Sequence, residues 1–262
     1  MKQTKGDSLG DRMKRYEGVS KTSLVSRMPV ILRIDGCHFH TFTRGFEKPF
    51  DELFMCSMQE TMKYLCENLQ GCVLGYTQSD EITLVLVDYK KINSSSWFDN
   101  EVQKMCSVAA SMAACVFNRT FADNIDNAEV DYFQKEKYKK AAQGGAYFDC
   151  RAFNVPQNDV CNCLLWRQQD ATRNSIQALA QANFSHKELQ GLNCNKLQDK
   201  LFLERSINWN DLSTEKKRGT CCIKTYYTKD GQERSKWVID YNIPIFSQDR
   251  NYVESLIMVG ED

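Results

Sequence analysis

The chain has 262 residues, 42% hydrophobic and 26% charged, and its 34 Lys and Arg balance 34 Asp and Glu. Such a length and composition describe an ordinary globular protein able to bury a substantial core. Zero net charge excludes a whole-molecule attraction to nucleic acid or anionic lipid, so any polyanion contact must come from local clusters or oligomer geometry.

The first residues, MKQTKGDSLGDRMKRYE, are polar and lack the apolar core of a secretory signal. No run approaches the roughly 18 apolar residues of a spanning helix. A cytoplasmic protein with no membrane partner is expected. The twelve cysteines are scattered in mostly apolar contexts, where a thiol acts as a small hydrophobe. Neither Cys161-Asn-Cys163 nor Cys221-Cys222 supplies a zinc set at usual spacing.

In chain order, MPVILRIDG (28–36) reads as a buried strand stopping at an Asp-Gly turn. A Gly- and aromatic-bearing loop, CHFHTFTRGFEKP, follows. Residues 50–71 carry Leu53, Phe54, Met58, Met62, Leu65 and Leu69 at helical spacing and stop at Gly71. CVLGYTQ and EITLVLV form a hairpin around Ser79-Asp80. Residues 101–122 are a second helix, rich in small residues that allow close packing on a sheet. Residues 124–145 read as a polar excursion with a Lys-rich stretch. AYFDCRAFNVP is a further strand, closed by Pro156, and a long helix opens near Asn158 or Asp159. Two short helices, SHKELQG and NKLQDKLFLE, precede a last hairpin about Asp230-Gly231.

The strand–helix–hairpin–helix order predicts an α+β, palm-like antiparallel sheet with packed helices, a helical C-terminal part and a terminal β-hairpin. Residues 1–145 read as the palm-like core. Residues 146–262 supply the remaining catalytic strand, the long helix and an extension, within one functional unit. In a palm the first strand lies antiparallel to the central hairpin, which sets Asp35 beside Asp80. Carboxylates converging at strand ends suit a two-Mg²⁺ site, because magnesium takes hard oxygen ligands and leaves positions for water and phosphates. Alternation along a strand sends Asp80 and Glu81 to opposite faces. Asp80 is therefore taken as the ligand, and Glu81 as functional with its role open. Gly36 permits close backbone approach, and the amides after it, through Cys37, His38, Phe39 and His40, are placed to receive a triphosphate. Phe39 and His40 either lie against a base or pack the loop. His38 and His40 lack a third partner for zinc.

These stretches resemble the tRNA-histidine guanylyltransferase superfamily, the 3′-to-5′ polymerases. RIDGCHFHTFTRGFEKPFD is similar to that family's first block through Arg33, Asp35, Gly36, Phe39, Phe42, Lys48, Pro49 and Asp51. Gln78-Ser79-Asp80-Glu81-Ile82 matches its second block. Later blocks match through Asp149, Arg151, Trp166, Arg167, Asp170, Lys217, Arg218 and Gly219. The resemblance implies two Mg²⁺ held by Asp35, Asp80 and the Gly36 backbone. It also implies a 5′-monophosphorylated RNA activated by ATP or GTP, extension of the activated end by an incoming NTP, and a homotetramer on which one tRNA spans several subunits. Lys48, Ser79, Arg151, Arg167, Asn174, Lys217 and Arg218 are the expected nucleotide or phosphate contacts. Trp166 reads as core packing.

One block departs from the eukaryotic pattern. Where those enzymes carry HINNLYN, this chain has Thr172-Arg173-Asn174-Ser175-Ile176-Gln177-Ala178. The departure is similar to the broader Thg1-like branch, which repairs 5′-truncated tRNAs by templated addition. The expected function is therefore Mg²⁺-dependent, templated nucleotide addition to tRNA 5′ ends. Its rivals are untemplated addition of one G to tRNA-His, a nucleotide cyclase, and a noncatalytic RNA-binding protein.

Overall fold

The computed structural model describes residues 8–259. Helix α1 (Leu9–Gly18) is capped by the Ser8 hydroxyl, which accepts from the Asp11 amide. Strand β1 is Val30–Cys37, followed by the single turn α2 (Phe39–Phe42) and by α3 (Glu52–Asn68). Hairpin strands β2 (Cys72–Gln78) and β3 (Glu81–Leu86) lead to α4 (Val102–Asn127) and α5 (Tyr132–Gly144). Strand β4 (Tyr147–Asn154) and the long α6 (Val160–Asn183) come next, then α7 (His186–Leu189), α8 (Cys194–Arg205) and α9 (Thr214–Arg218). Strands β5 (Thr220–Lys229) and β6 (Gln232–Asp240) and a last turn, α10 (Asn251–Glu254), complete the described chain.

The six strands form one antiparallel sheet in the order β4-β1-β3-β2-β5-β6. The final hairpin thus continues the central sheet through β2 and β5. Alternation splits the strands between two cores. Val30, Leu32, Ile34, Ile82, Leu84 and Leu86 face α3 and α4, where Met58, Met62, Leu65 and Phe117 are buried with them. Ile31, Leu74, Tyr76 and Val85 face the start of α6, against Val160, Cys161 and Leu164. Farther along α6, Ile176, Leu179 and Ala180 pack on Leu197 and Leu201 of α8. All twelve cysteines carry free thiols.

The segment read as a polar excursion contains α5. Asp131 caps it by accepting from the Gln134 amide, and only Gln134 and Tyr138 of this helix are buried. Two inward positions one turn apart, among four lysines, leave too narrow an apolar stripe to announce a helix. Tyr138 is anchored through its hydroxyl, which donates to Asp51 Oδ2 at 2.6 Å.

Candidate active site

Three strand ends converge at one edge of the sheet. Asp35 is the register partner of Glu81 on β3 and of Asp149 on β4, so these three side chains share the α6 face. Asp80 sits in the two-residue bend beside them. Its carbonyl accepts from the Gly36 amide at 3.0 Å, tying the end of β1 to the hairpin. Ser79 takes φ +51°, a left-handed conformation uncommon for a side-chain-bearing residue. The Ser79 hydroxyl donates to Asp80 Oδ1 at 3.0 Å.

Burial raises the Asp35 pKa above the ordinary carboxylate value, and the negative charges of Asp80, Glu81 and Asp149 raise it further, against the opposing Arg151. Glu81 shares that face but not that environment. It is 7% exposed and accepts two hydrogen bonds from Arg167, Nε to Oε1 and Nη2 to Oε2, each at 2.7 Å. Arg167 Nη2 also donates to Asp170 Oδ2 at 2.9 Å, and Arg173 pairs with the other oxygen of Asp170. Asp35 and Asp80 have no such cationic partner within ion-pair distance among the described residues.

A raised pKa means that the folded state holds the Asp35 proton more tightly than the unfolded chain does. The associated stability is fully present below the unfolded value and is lost as pH rises through the folded value. Asp35→Asn should therefore raise the melting temperature at pH 7 in EDTA, and the gain should shrink as pH falls toward the ordinary carboxylate pKa. Thermal unfolding of both proteins across that pH range checks this; a variant no more stable than its parent at pH 7 contradicts it.

The loop after Asp35 folds back on the core. Phe39 is 4% exposed, with Phe42, Phe54, Phe117 and Phe148 at centroid distances of 5.1–5.8 Å. Of the two readings for this ring, the structure shows packing. A β-carbon at Gly36 would lie 2.3 Å from Phe39 Cδ2, so glycine is needed for this close approach. His38 at φ +58° and His40 are exposed at the surface of the loop. Cys37 Sγ points to Asp149 Oδ2 at 3.9 Å. Lys48 is exposed beyond α2.

Beside the hairpin bend lies a cavity of about 180 Å³. Its apolar walls come from Phe50 just before α3, from Phe54, Met55 and Met58 of α3, and from Ala171 and Ala178 of α6. Its polar rim comes from Thr77, Gln78, Ser79, Asn174, Glu215, Lys216, Arg218 and Thr220. The Thr220 hydroxyl is buried and has no hydrogen-bond partner among the described residues, a rare condition that calls for an explanation. Of the residues expected to contact nucleotide, Ser79, Asn174 and Arg218 meet at this cavity. Lys217 instead donates to the Asn210 carbonyl at 2.7 Å, Arg167 is buried in its ion pairs, and Arg151 is exposed on β4 beside Asp35.

Sequence reasoning missed the contribution of α3 to the cavity, because Phe54 and Met58 carry no signal beyond the apolar period of a core helix. Asp149 belongs to a matching block without a site role of its own in the sequence, and only its strand position beside β1 brings it to Asp35. Trp166 corrects an expectation: it is 52% exposed rather than packed in the core. The neighbouring Arg167 takes the sheet-facing position because Glu81 offers it a buried bidentate partner, and a turn of about 100° then carries Trp166 outward. The Arg33 and Arg167 guanidiniums lie 5.5 and 4.5 Å from its ring centroid.

A palm-like antiparallel sheet with carboxylates converging at the strand ends, next to a polar-rimmed cavity, is an architecture suited to nucleotidyl transfer. The sequence model of the Thg1 family, described as tRNAHis guanylyltransferase, matches residues 10–156, and the chain belongs to that family, whose members are nucleotidyltransferases acting on tRNA. An uncharacterized protein of Acanthamoeba polyphaga mimivirus is 30% identical over 261 residues, covering 96% of this chain and 88% of its own. A bacterial tRNA(His) guanylyltransferase (Thg1)-like protein solved in complex with ATP is 47% identical at a TM-score of 0.84, covering 97% of this chain and 100% of the solved one. A GTP complex of such a bacterial protein gives 45% identity and a TM-score of 0.81 over the same shares.

Proposed function

We propose that this protein adds templated nucleotides to the 5′ end of truncated tRNA. The first step joins ATP or GTP to a 5′-monophosphate, releasing pyrophosphate. In the second, the 3′-hydroxyl of an incoming NTP attacks the activated end and displaces the nucleoside monophosphate. The observation that carries this reading is the convergence of Asp35 and Asp80 beside the hairpin bend, where Ser79 lines the neighbouring cavity, backed by the likeness to bacterial proteins bound to ATP and GTP.

The donor set fits a divalent cation. No group of three or more His, Cys, Asp or Glu side chains placed to hold a metal occurs among the described residues. Yet burial, and after it the crowded negative charge around Asp35, disfavours its ionised form without a cation. Magnesium needs only one or two carboxylates when water and phosphate oxygens fill its remaining positions. Asp35, Asp80 and the Gly36 backbone would hold it, and it would supply charge neutralisation at the reacting phosphorus.

The chain's own residues bind and orient. The cavity takes the base of the nucleotide, with the orphaned Thr220 hydroxyl supplying a hydrogen bond to it. Ser79 and Arg218 at the rim face the nucleotide phosphates, as do the amides after Gly36 and the exposed Lys48, while the exposed Arg151 stands on β4 for a phosphate on the RNA side. Lys216 is less available, being paired with Glu52. A homotetramer, as the family resemblance implies, lets a neutral chain assemble basic surface for tRNA from several subunits, and we place its activity in the cytoplasm.

The activation step is directly testable. Incubation of 5′-monophosphorylated, 5′-truncated tRNA with α-labelled ATP and Mg²⁺ should yield labelled RNA that resists phosphatase. RNA that stays unlabelled with ATP and with GTP would sink the reading.

A further inference from the structure

We propose that Trp166, together with Arg33 and Arg151, forms a platform for the 5′-terminal nucleotide of the RNA. The inference rests on the polymerase reading above and names where its RNA substrate sits.

Arg33 and Arg151 are register partners on β1 and β4, two residues from the Asp35–Asp149 pair and on the same face. Two residues of strand place the arginines about 7 Å from the carboxylates. Like charges directly opposite each other destabilise a sheet, yet no carboxylate lies within ion-pair distance of either guanidinium among the described residues. Arg33 lies over Trp166 instead, 5.5 Å from its centroid. Without an ion-pair partner, these guanidiniums are suited to an anion, and a planar guanidinium is the group that grips phosphate in a fixed geometry.

Trp166 supplies the complementary surface. Arg167 approaches its ring at 4.5 Å and is itself fixed by Glu81, so the indole is braced against α6 and the sheet. Half of the residue remains open to solvent. A braced, half-exposed indole beside two guanidiniums that lack ion-pair partners is the pairing that single-stranded nucleic acid uses, with bases stacked on aromatics and phosphates on arginine. Because β4 is an edge strand, nothing in the sheet closes the strip from that side. The strip runs straight into the carboxylates where the 5′-phosphate must react. A peptide partner has no corresponding reason to end at that cluster.

The test measures equilibrium binding of the full chain to 5′-monophosphorylated, truncated tRNA, alongside KM for RNA and for ATP in the activation assay. Trp166→Ala should weaken RNA binding about tenfold or more. KM for RNA should rise in parallel, with KM for ATP and the oligomeric state unchanged. Trp166→Phe, which keeps an aromatic face, should restore most of the affinity. In addition, RNA should quench the tryptophan fluorescence of the parent more than that of Trp166→Phe. An active parent whose Trp166→Ala variant binds RNA normally overturns the platform and leaves the polymerase reading standing. An inactive parent whose variant binds RNA more weakly, with Phe rescue, overturns the polymerase reading and supports the platform. Equal rises in both KM values, or a change in oligomeric state, assign Trp166 a structural role and overturn the platform.

Discussion

Asp35→Ala and Asp80→Ala should each lower activation and nucleotide addition by at least about a thousandfold, without loss of fold. The two carboxylates stand at the convergence of β1 and the β2–β3 bend, and a metal held there contributes several kcal/mol of charge stabilisation. Both steps transfer a nucleotidyl or RNA phosphoryl group through the same site, so both should fail together. Removing Asp35 also relieves the burial of a charge and the like-charge crowding that raise its pKa, so the variant should melt no lower than its parent at neutral pH in EDTA. Single-turnover rates with labelled RNA, paired with thermal unfolding, check both halves. Parent-like rates in either variant, at matched stability, would remove the carboxylates from the chemistry.

Arg167→Ala should act through the fold. Its guanidinium and the Glu81 carboxylate are both about nine-tenths buried and joined by two 2.7 Å bonds. Truncating one partner leaves an uncompensated buried charge, which costs about 3–5 kcal/mol. In a chain of this size that is a fall of roughly 10 °C in melting temperature. The double variant Glu81→Leu/Arg167→Met should recover most of the loss, since an apolar pair of similar volume avoids the desolvation penalty. Calorimetry of the three proteins reads this out. An Arg167→Ala variant within about 1 kcal/mol of its parent would mean that the pair carries little stability.

Much of this architecture was legible in the residues. The strands of the palm, the helices after the first strand and after the hairpin, and the last hairpin all announced themselves through period and turn chemistry. The place of that last hairpin within the central sheet did not, because the pairing of β2 with β5 is set by the intervening helices rather than by any local signal. Strand alternation does not apply between Asp80 and Glu81, because Asp80 lies in the bend and only Glu81 is on the strand, and both carboxylates come near Asp35. It did not reveal that Glu81 is register partner to Asp35, or that a buried arginine from α6 claims it. Both facts depend on which helix covers which face, a long-range choice that one sequence does not encode locally. The same choice turned Trp166 outward.

The most direct test of the central claim is a template switch. A 5′-truncated tRNA other than tRNA-His, monophosphorylated and presenting C opposite the missing position, is incubated with ATP, Mg²⁺ and single NTPs, and products are resolved on a sequencing gel. Templated addition predicts incorporation of G, and changing that C to A redirects incorporation to U. Continued addition of G alone, whatever base stands opposite, would contradict templated repair and make the protein an untemplated guanylyltransferase.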